Sequence, residues 1–178
     1  MTEPFSRIVR VDALPRDGQT FEIEASDSER EALALSYKLP AIQALVATLR
    51  VHPTSGGGAE VTGHVHGELT QTCVVSLDPF PGTVDEEVDV RFAPIDEKSP
   101  ARRPPDEPLT VSMDEEDDPD PLINGRIDLG ALTAEFFALG LDPYPRKPGV
   151  TFEPPAEENN VSPFAVLRDK ASDDQGGL

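Results

Sequence analysis

The most regular pattern in the chain is the alternation in Val61-Thr62-Gly63-His64-Val65-His66-Gly67-Glu68-Leu69. A period of two residues is typical of a β-strand with one buried face. The pattern continues toward Leu77, a Pro- and Gly-containing turn follows at residues 78–82, and residues 84–92 return with apolar residues on one face. We therefore predict an antiparallel strand pair, whose first strand is bent at its inward-facing glycines.

Shorter patterns on the N-terminal side predict the rest of a sheet. Residues 5–11, 21–25 and 45–52 each have the apolar spacing of a strand. Between them, Ser26 and Glu29 have the spacing of a capping box, residues 29–38 are strong helix formers, and Pro40 ends the helix. Because helices and strands do not alternate as in βαβ units, we predict an α+β fold, a curved antiparallel sheet covered by two main helices.

The second main helix is predicted to begin after Asp128, a residue suited to the N-cap position. Its apolar residues recur at helical spacing, with Gly140 at its C-terminal end. They are Leu129, Leu132, Phe136 and Leu139, with Phe137 beside them. Pro143 and Pro145 then predict an extended exit from the helix.

A long acidic, Pro-rich loop is predicted at residues 94–124, inside a single domain of residues 1–168. Two short elements are predicted from apolar patterns: an edge strand at residues 109–111 and a last helix at residues 161–168. Residues 169–178 are predicted to be a disordered tail.

The charge of the chain restricts the classes of partner. The formal net charge is −19 over 178 residues. Such a surface repels the phosphate backbone of DNA and RNA as well as anionic membranes, and it attracts basic proteins. The N-terminus lacks a signal-peptide pattern and no apolar run is long enough to span a bilayer, so the sequence predicts a cytoplasmic protein.

Residues able to do chemistry are few. The single Cys73 is expected to be an inert, small apolar residue on a strand. His64 and His66 share one strand face and His52 belongs to a neighbouring strand, but no further ligand is placed by sequence to complete a metal site. The acid run at residues 114–120 lacks the spacing and the central glycine of a calcium loop. We therefore predict no cofactor, no metal, no catalytic residue and no enzyme.

The order of these motifs resembles the bacterial YceD family, the large-ribosomal-RNA-subunit accumulation proteins. One anchor is the helix led by Asp128-Leu129-Gly130, followed at once by Asp142-Pro143-Tyr144-Pro145. The other is Gln71-Thr72-Cys73-Val74-Val75-Ser76-Leu77 followed by Asp85-Glu86-Glu87-Val88-Asp89-Val90-Arg91-Phe92. Many relatives carry a Cys-x-x-Cys in this region, whereas here Ser76 stands at the second position.

The resemblance implies a non-enzymatic role in accumulation or processing of large-subunit ribosomal RNA. Since the chain is acidic, we expect it to act through a basic ribosomal or ribosome-assembly protein, and direct contact with RNA is left open. The residues expected to contact the partner are the acids and the aromatic and basic residues around the second helix. They are Asp114, Glu115, Glu116, Asp117, Asp118, Asp120, Phe136, Phe137, Tyr144 and Arg146.

Two other functions are compatible with the sequence. One is a metal-dependent hydrolase or RNA-cleaving enzyme that uses His52, His64 and His66. It would require bound metal in the purified protein. The other is an acidic scaffold with no part in ribosome biology, for which a search for ribosome-assembly defects would find none.

Overall fold

The structure, a computed structural model, describes residues 4–94 and 119–152. These residues form an α+β fold, as predicted, with seven strands and two α-helices. In chain order they are β1 (Ile8–Arg10), β2 (Gln19–Glu24), α1 (Asp27–Tyr37), β3 (Ala41–Pro53), β4 (Ala59–Thr72), β5 (Pro79–Pro94), β6 (Asp120–Leu122), β7 (Arg126–Asp128) and α2 (Leu129–Leu139). Neither helix has the length and apolar character needed to cross a membrane.

The main sheet has the strand order β2-β3-β4-β5-β6. The pairs from β2 to β5 are antiparallel, as predicted, and β4 pairs with β5 over its whole length, from Ala59↔Phe92 to Thr72↔Pro79. The last pair is parallel, between Phe92–Pro94 of β5 and β6. The sheet is therefore antiparallel from β2 to β5, as predicted, and mixed only because β6 joins it in parallel at this edge. A parallel pair needs a long connection in sequence, and residues 95–119 separate β5 from β6.

The predicted loop at residues 94–124 is thus too long, because its last part contains β6. Residues 95–118 lie outside the described residues, and so does the edge strand predicted at 109–111. The helix predicted at 161–168 and the tail predicted at 169–178 also lie outside them. The chain divides into one compact unit at Met1–Pro148 and another at Gly149–Leu178. The single domain predicted for residues 1–168 stays a prediction.

A small second sheet ties the N-terminus to α2. β1 pairs antiparallel with β7, with Val9 opposite Ile127. Asp128, the N-cap of α2, accepts hydrogen bonds from the backbone N–H groups of Gly130 and Ala131 at 3.0 and 3.2 Å. Its carboxylate also accepts the N–H of Arg7 at 2.7 Å and the hydroxyl of Ser6 at 2.5 Å. One side chain therefore caps α2 and holds the N-terminal segment.

The glycine after Leu129 permits this arrangement. A Cβ at Gly130 would lie 2.8 Å from Cα of Ser6 and 2.9 Å from the backbone N of Arg7. Contacts this short are not tolerated, so any larger residue would push the N-terminal segment away from the helix. The Asp-Leu-Gly motif thus combines a cap, a fully buried leucine and a close backbone approach.

Both helices pack on one face of the main sheet and meet each other. The Tyr37 hydroxyl of α1 donates to the carbonyl of Ala134 in α2 at 3.0 Å, and the rings of Tyr37 and Phe137 lie 6.1 Å apart. The apolar side chains of β3, β4 and β5 complete one core with them. Burial of a side chain of the size of Phe137 contributes about 1.5–3 kcal/mol to the stability of this core.

The buried face of α2 differs from the predicted one. Phe137 is fully buried, Phe136 is half-buried and Leu139 is 71% exposed. Of the predicted apolar face, Leu129 and Leu132 are buried and Phe136 packs partly against the core, whereas Leu139 is exposed. The helix is turned so that Leu129, Thr133 and Phe137 face the sheet, where Phe137 fits over a glycine of β4.

Candidate partner-binding surface

The structure places the predicted contact residues in different parts of the fold. Asp114 to Asp118 lie outside the described residues. Asp120 begins β6 and is exposed. Tyr144 and Arg146 are exposed on the segment that leaves α2, and 73% of Tyr144 is accessible to solvent.

Asp120 and the Tyr144–Arg146 segment lie toward opposite ends of β5. Asp120 pairs with Phe92, near the C-terminal end of that strand. The carbonyl of Pro145 accepts the N–H of Val74, in the turn that precedes Pro79. A strand rises about 3.3 Å per residue, so these ends are roughly 40 Å apart along β5. The described members of the predicted set therefore do not form one continuous patch.

Phe137 is a core residue rather than a surface residue. It is 0% exposed, and its ring lies against Gly67 and near Tyr37. A partner cannot contact it without displacing α2, so the prediction of a direct contact at Phe137 is wrong. Phe136 is half-buried and keeps some accessible surface.

The face of the main sheet opposite the helices carries mostly polar side chains. Along β5, Asp85, Glu87 and Asp89 are exposed on this face at every second position. Glu22 and Glu24 of β2 are exposed at the other side of the sheet. The open face therefore presents an ordered row of carboxylates on β5, which we call the β5 acid row (Asp85, Glu87 and Asp89).

The three histidines lie on this same face without forming a cluster. Nδ1 of His66 is 2.6 Å from Oδ1 of Asp85, while His64 is in register with Glu87. His52 is in register with Glu60, four positions along β3 from Thr48, the partner of His64. At about 3.4 Å per residue along β3 and about 4.8 Å between strands, His52 and His64 are roughly 14 Å apart. Among the described residues, no three His, Cys, Asp or Glu side chains are grouped to hold a metal ion.

Cys73 lies in a turn directly after β4 rather than on a strand, so its predicted position is wrong. The turn closes through the N–H of Leu77 to the carbonyl of Cys73 at 2.9 Å. The thiol is fully buried. Hydrogen bonds from the Ser76 hydroxyl and from the backbone N–H groups of Ser76 and Lys147 lower the pKa of Cys73 to about 6, although burial acts in the opposite direction. The buried thiol therefore lies beside hydrogen-bond donors, of which the Ser76 N–H is 3.5 Å from Sγ.

This turn also fixes the segment after α2. Besides the bond from Val74 to Pro145, Nζ of Lys147 lies 3.3 Å from Oδ2 of Asp78. Val74 and Leu77 are exposed beside it, at 45% and 75%. The Pro-spaced exit is thus anchored at the hairpin between β4 and β5, where it presents Tyr144 and Arg146.

The predicted contact residues do not include the β5 acid row, although the alternation of residues in the sequence indicates it. Asp85, Glu87 and Asp89 alternate with Glu86 and Val88. That spacing puts all three carboxylates on one face of a strand. The acid run at residues 114–120 contains more charge, and the amount of charge does not show which acids share one face of a strand.

The described fold is an α+β domain with an open mixed sheet and a helix that begins at an Asp-Leu-Gly motif. A family model described as "Large ribosomal RNA subunit accumulation protein YceD" matches residues 61–170, from β4 through α2 and beyond. The chain therefore belongs to the YceD family, whose name indicates a role in accumulation of the large ribosomal RNA subunit. No curated protein and no solved structure matches the chain.

Proposed function

We propose that this protein is a non-enzymatic, cytoplasmic factor in ribosome biogenesis that acts through a basic ribosomal or ribosome-assembly protein. Membership of the YceD family, from the match over residues 61–170, is the observation that carries the ribosomal part of the proposal. The protein supports accumulation and processing of large-subunit ribosomal RNA by holding that basic partner.

The preference for a protein partner rests on charge. A chain with a net charge of −19 repels the phosphate backbone of nucleic acids. The same charge accelerates encounter with a basic protein and disfavours acidic competitors. The acid run at Asp114–Asp118, together with Asp120, supplies carboxylates in addition to the β5 acid row.

The exposed residues after α2 supply the other kind of contact. Aromatic and arginine side chains contribute most strongly to protein interfaces, because they bury a large area or form several hydrogen bonds. Tyr144 and Arg146 are exposed on a segment whose backbone is anchored at Pro145. We therefore assign direct contact to Tyr144, Arg146 and the accessible part of Phe136, while Phe137 holds α2 in place.

Cells that lack the protein test the ribosomal role. Sedimentation of their ribosomes, with probes for the large-subunit RNA, should show fewer large subunits and more unprocessed or missing large-subunit RNA. Re-expression of the protein should restore both. Normal particles and normal RNA in the deleted cells would remove the proposal.

Variants separate the partner contacts from folding. Tyr144→Ala should weaken complementation and partner capture without changing thermal stability, because the side chain is exposed. Leu35→Ala is the matched control, since Leu35 is 82% exposed on α1. Capture should also decline at high salt, because interactions between exposed charges are screened. Equal recovery of the same partners at low and high salt would contradict the role of the acidic residues.

A further inference from the structure

Among the residues that the structure describes, the outer edge of β5 has no neighbouring strand over most of its length. β5 pairs with β4 along one side from Pro79 to Phe92, but β6 covers only Phe92–Pro94 on the other side. Within the described residues, no backbone hydrogen bond outside these two ladders involves β5. The main-chain groups along this edge from Pro79 to Asp89 are therefore available to another strand.

The register identifies which groups face outward. Cys73 donates its N–H to the carbonyl of Asp78 at 2.9 Å, and these residues continue the register of Thr72↔Pro79. In an antiparallel ladder the directly bonded pairs alternate, so the even-numbered residues of β5 bond to β4. The outward N–H and C=O groups consequently belong to Thr83, Asp85, Glu87 and Asp89.

The two prolines of the strand agree with this assignment. Pro79 and Pro81 are odd-numbered and therefore belong to the outward set, where a missing N–H removes no bond to β4. Proline within a paired strand is tolerated at such positions only. The edge that can accept a partner strand thus begins after Pro81 and extends toward Asp89.

The same residues carry the β5 acid row on the open face. Asp85 contacts His66, whereas Glu87 and Asp89 form no ion pair within the described residues. A strand added at this edge would place alternate side chains beside these carboxylates. The edge therefore combines main-chain donors and acceptors with a row of negative charge.

The edge could pair with a second copy of this chain or with a strand of a basic protein, and charge favours the second. Two copies of the chain paired antiparallel about Glu87 would place Glu87 against its copy and Asp85 against Asp89. Like charges directly opposite each other are destabilising, so self-pairing is disfavoured. A strand that carries lysine or arginine at alternate positions reverses every one of these interactions.

We infer that β5 receives an extended, Lys/Arg-rich segment of the basic partner as an additional strand along Thr83–Asp89. In this mode of recognition the main-chain hydrogen bonds supply affinity and the alternate side chains supply specificity. The inference rests on the proposed function, and it names the surface that the basic partner occupies.

A synthetic peptide tests the inference on the purified full chain. The probe is a capped peptide in which lysine alternates with valine, long enough to span Thr83 to Asp89. It should bind, and Glu87→Pro should weaken binding about tenfold or more, since the substitution removes an outward N–H but no bond to β4. The matched control is Glu87→Gln, which removes the same charge and keeps the N–H. It should weaken binding only a few-fold.

Hydrogen exchange gives a readout that needs no variant. On peptide binding, the amides of Asp85, Glu87 and Asp89 should become protected, while those of Val84 and Val88 are already protected by β4. If the peptide fails to bind, if both variants bind equally, or if the outward amides stay unprotected, the inference is overturned. Protection of these amides without peptide would also overturn it, because another part of the chain or a second copy would then occupy the edge.

Complementation separates this inference from the proposed function. If deleted cells lack large subunits and Glu87→Pro restores them fully, the edge is not the docking surface, although the ribosomal role stands. If deleted cells have normal ribosomes, the proposed function fails whatever the peptide does. If Glu87→Pro fails to complement while Glu87→Gln complements, and both variants are folded, the result supports the inference as well as the proposed function.

Discussion

The ring of Phe137 lies so close to Gly67 that a Cβ at position 67 would be 2.5 Å from Cε2 and 2.7 Å from Cδ2 of the ring. Helix α2 therefore reaches β4 only because position 67 has no side chain. This contact sets the rotation of α2, and the rotation determines which aromatic residue of the helix remains at the surface.

Gly67→Ala should destabilise the fold by about 1–3 kcal/mol, because a methyl group is forced into a filled core. The free energy of unfolding from chemical denaturation measures this effect. Phe137→Leu should be less destabilising in the Gly67→Ala background than in the wild type, since the smaller side chain makes room for the methyl group. Strictly additive effects would show that the ring and the glycine are not coupled.

Glu29→Gln should reduce the dependence of stability on acid pH. The pKa of Glu29 is lowered from 4.5 to about 2, chiefly by hydrogen bonds from Arg7, at 2.7 and 3.0 Å, and by those from Ser26. A lowered pKa in the folded state contributes stability that is complete above pH 4.5 and is lost as the pH falls toward 2. The stability difference between wild type and variant, from urea denaturation at several pH values, should therefore shrink over this window.

The control for this measurement is Glu31→Gln, on the exposed side of the same helix. A difference between wild type and Glu29→Gln that is as large at about pH 2 as at about pH 6 would mean that the Arg7 pair does not set the acid response.

Asp128→Ala should be destabilising by about 2–3 kcal/mol, because it removes a helix cap and leaves the partly buried donors of Ser6 and Arg7 without their acceptor. Burial raises the pKa of Asp128, but the hydrogen bonds from Ser6, Arg7, Ala131 and Gly130 outweigh it, so the pKa is lowered. Hence this contribution is complete above pH 3.8 and is lost only at lower pH.

Thermal unfolding and amide exchange at Val9 and Val11 measure the loss of the β1–β7 sheet. Asp142→Ala is the control, because within the described part of the chain the Asp142 side chain bonds only the nearby N–H of Tyr144. Unchanged protection at β1 in Asp128→Ala would show that other contacts hold the N-terminal segment.

Cys73 should be a thiolate at neutral pH, with a titration midpoint at about 6. Ultraviolet absorbance of the thiolate against pH measures this value, with Cys73→Ser as the blank. Ser76→Ala should raise the midpoint, since it removes the hydroxyl that contributes most to the lowered pKa. Because the folded pKa is below the ordinary value of 9.0, stability from this site is lost as the pH falls through about 6. A midpoint in Ser76→Ala equal to that of the wild type would assign the effect to the backbone.

Much of the fold follows from local patterns. The alternation around Val61–Leu69 and the caps at Ser26 and Asp128 describe short-range physics, and the structure confirms the strands and helices that they predict. These signals are strong because each depends on residues within about one turn or one strand.

The features that the sequence did not predict depend on contacts between residues far apart in the chain. β6 and β7 have only three residues each, too few for a periodic pattern, and they exist through pairing with β5 and β1. The rotation of α2 depends on Gly67, far away in sequence. The free edge of β5 is likewise visible only once the strand order is known, so the sequence alone did not point to it.

The pairing of β1 with β7 has a consequence for the order of events during synthesis. Ser6 and its acceptor Asp128 are separated by 122 residues. At about 5–20 residues per second, a ribosome makes the second roughly 6–24 seconds after the first. The first strand therefore leaves the ribosome long before its partner exists, and the last step of folding in the cell should join the two ends of the domain.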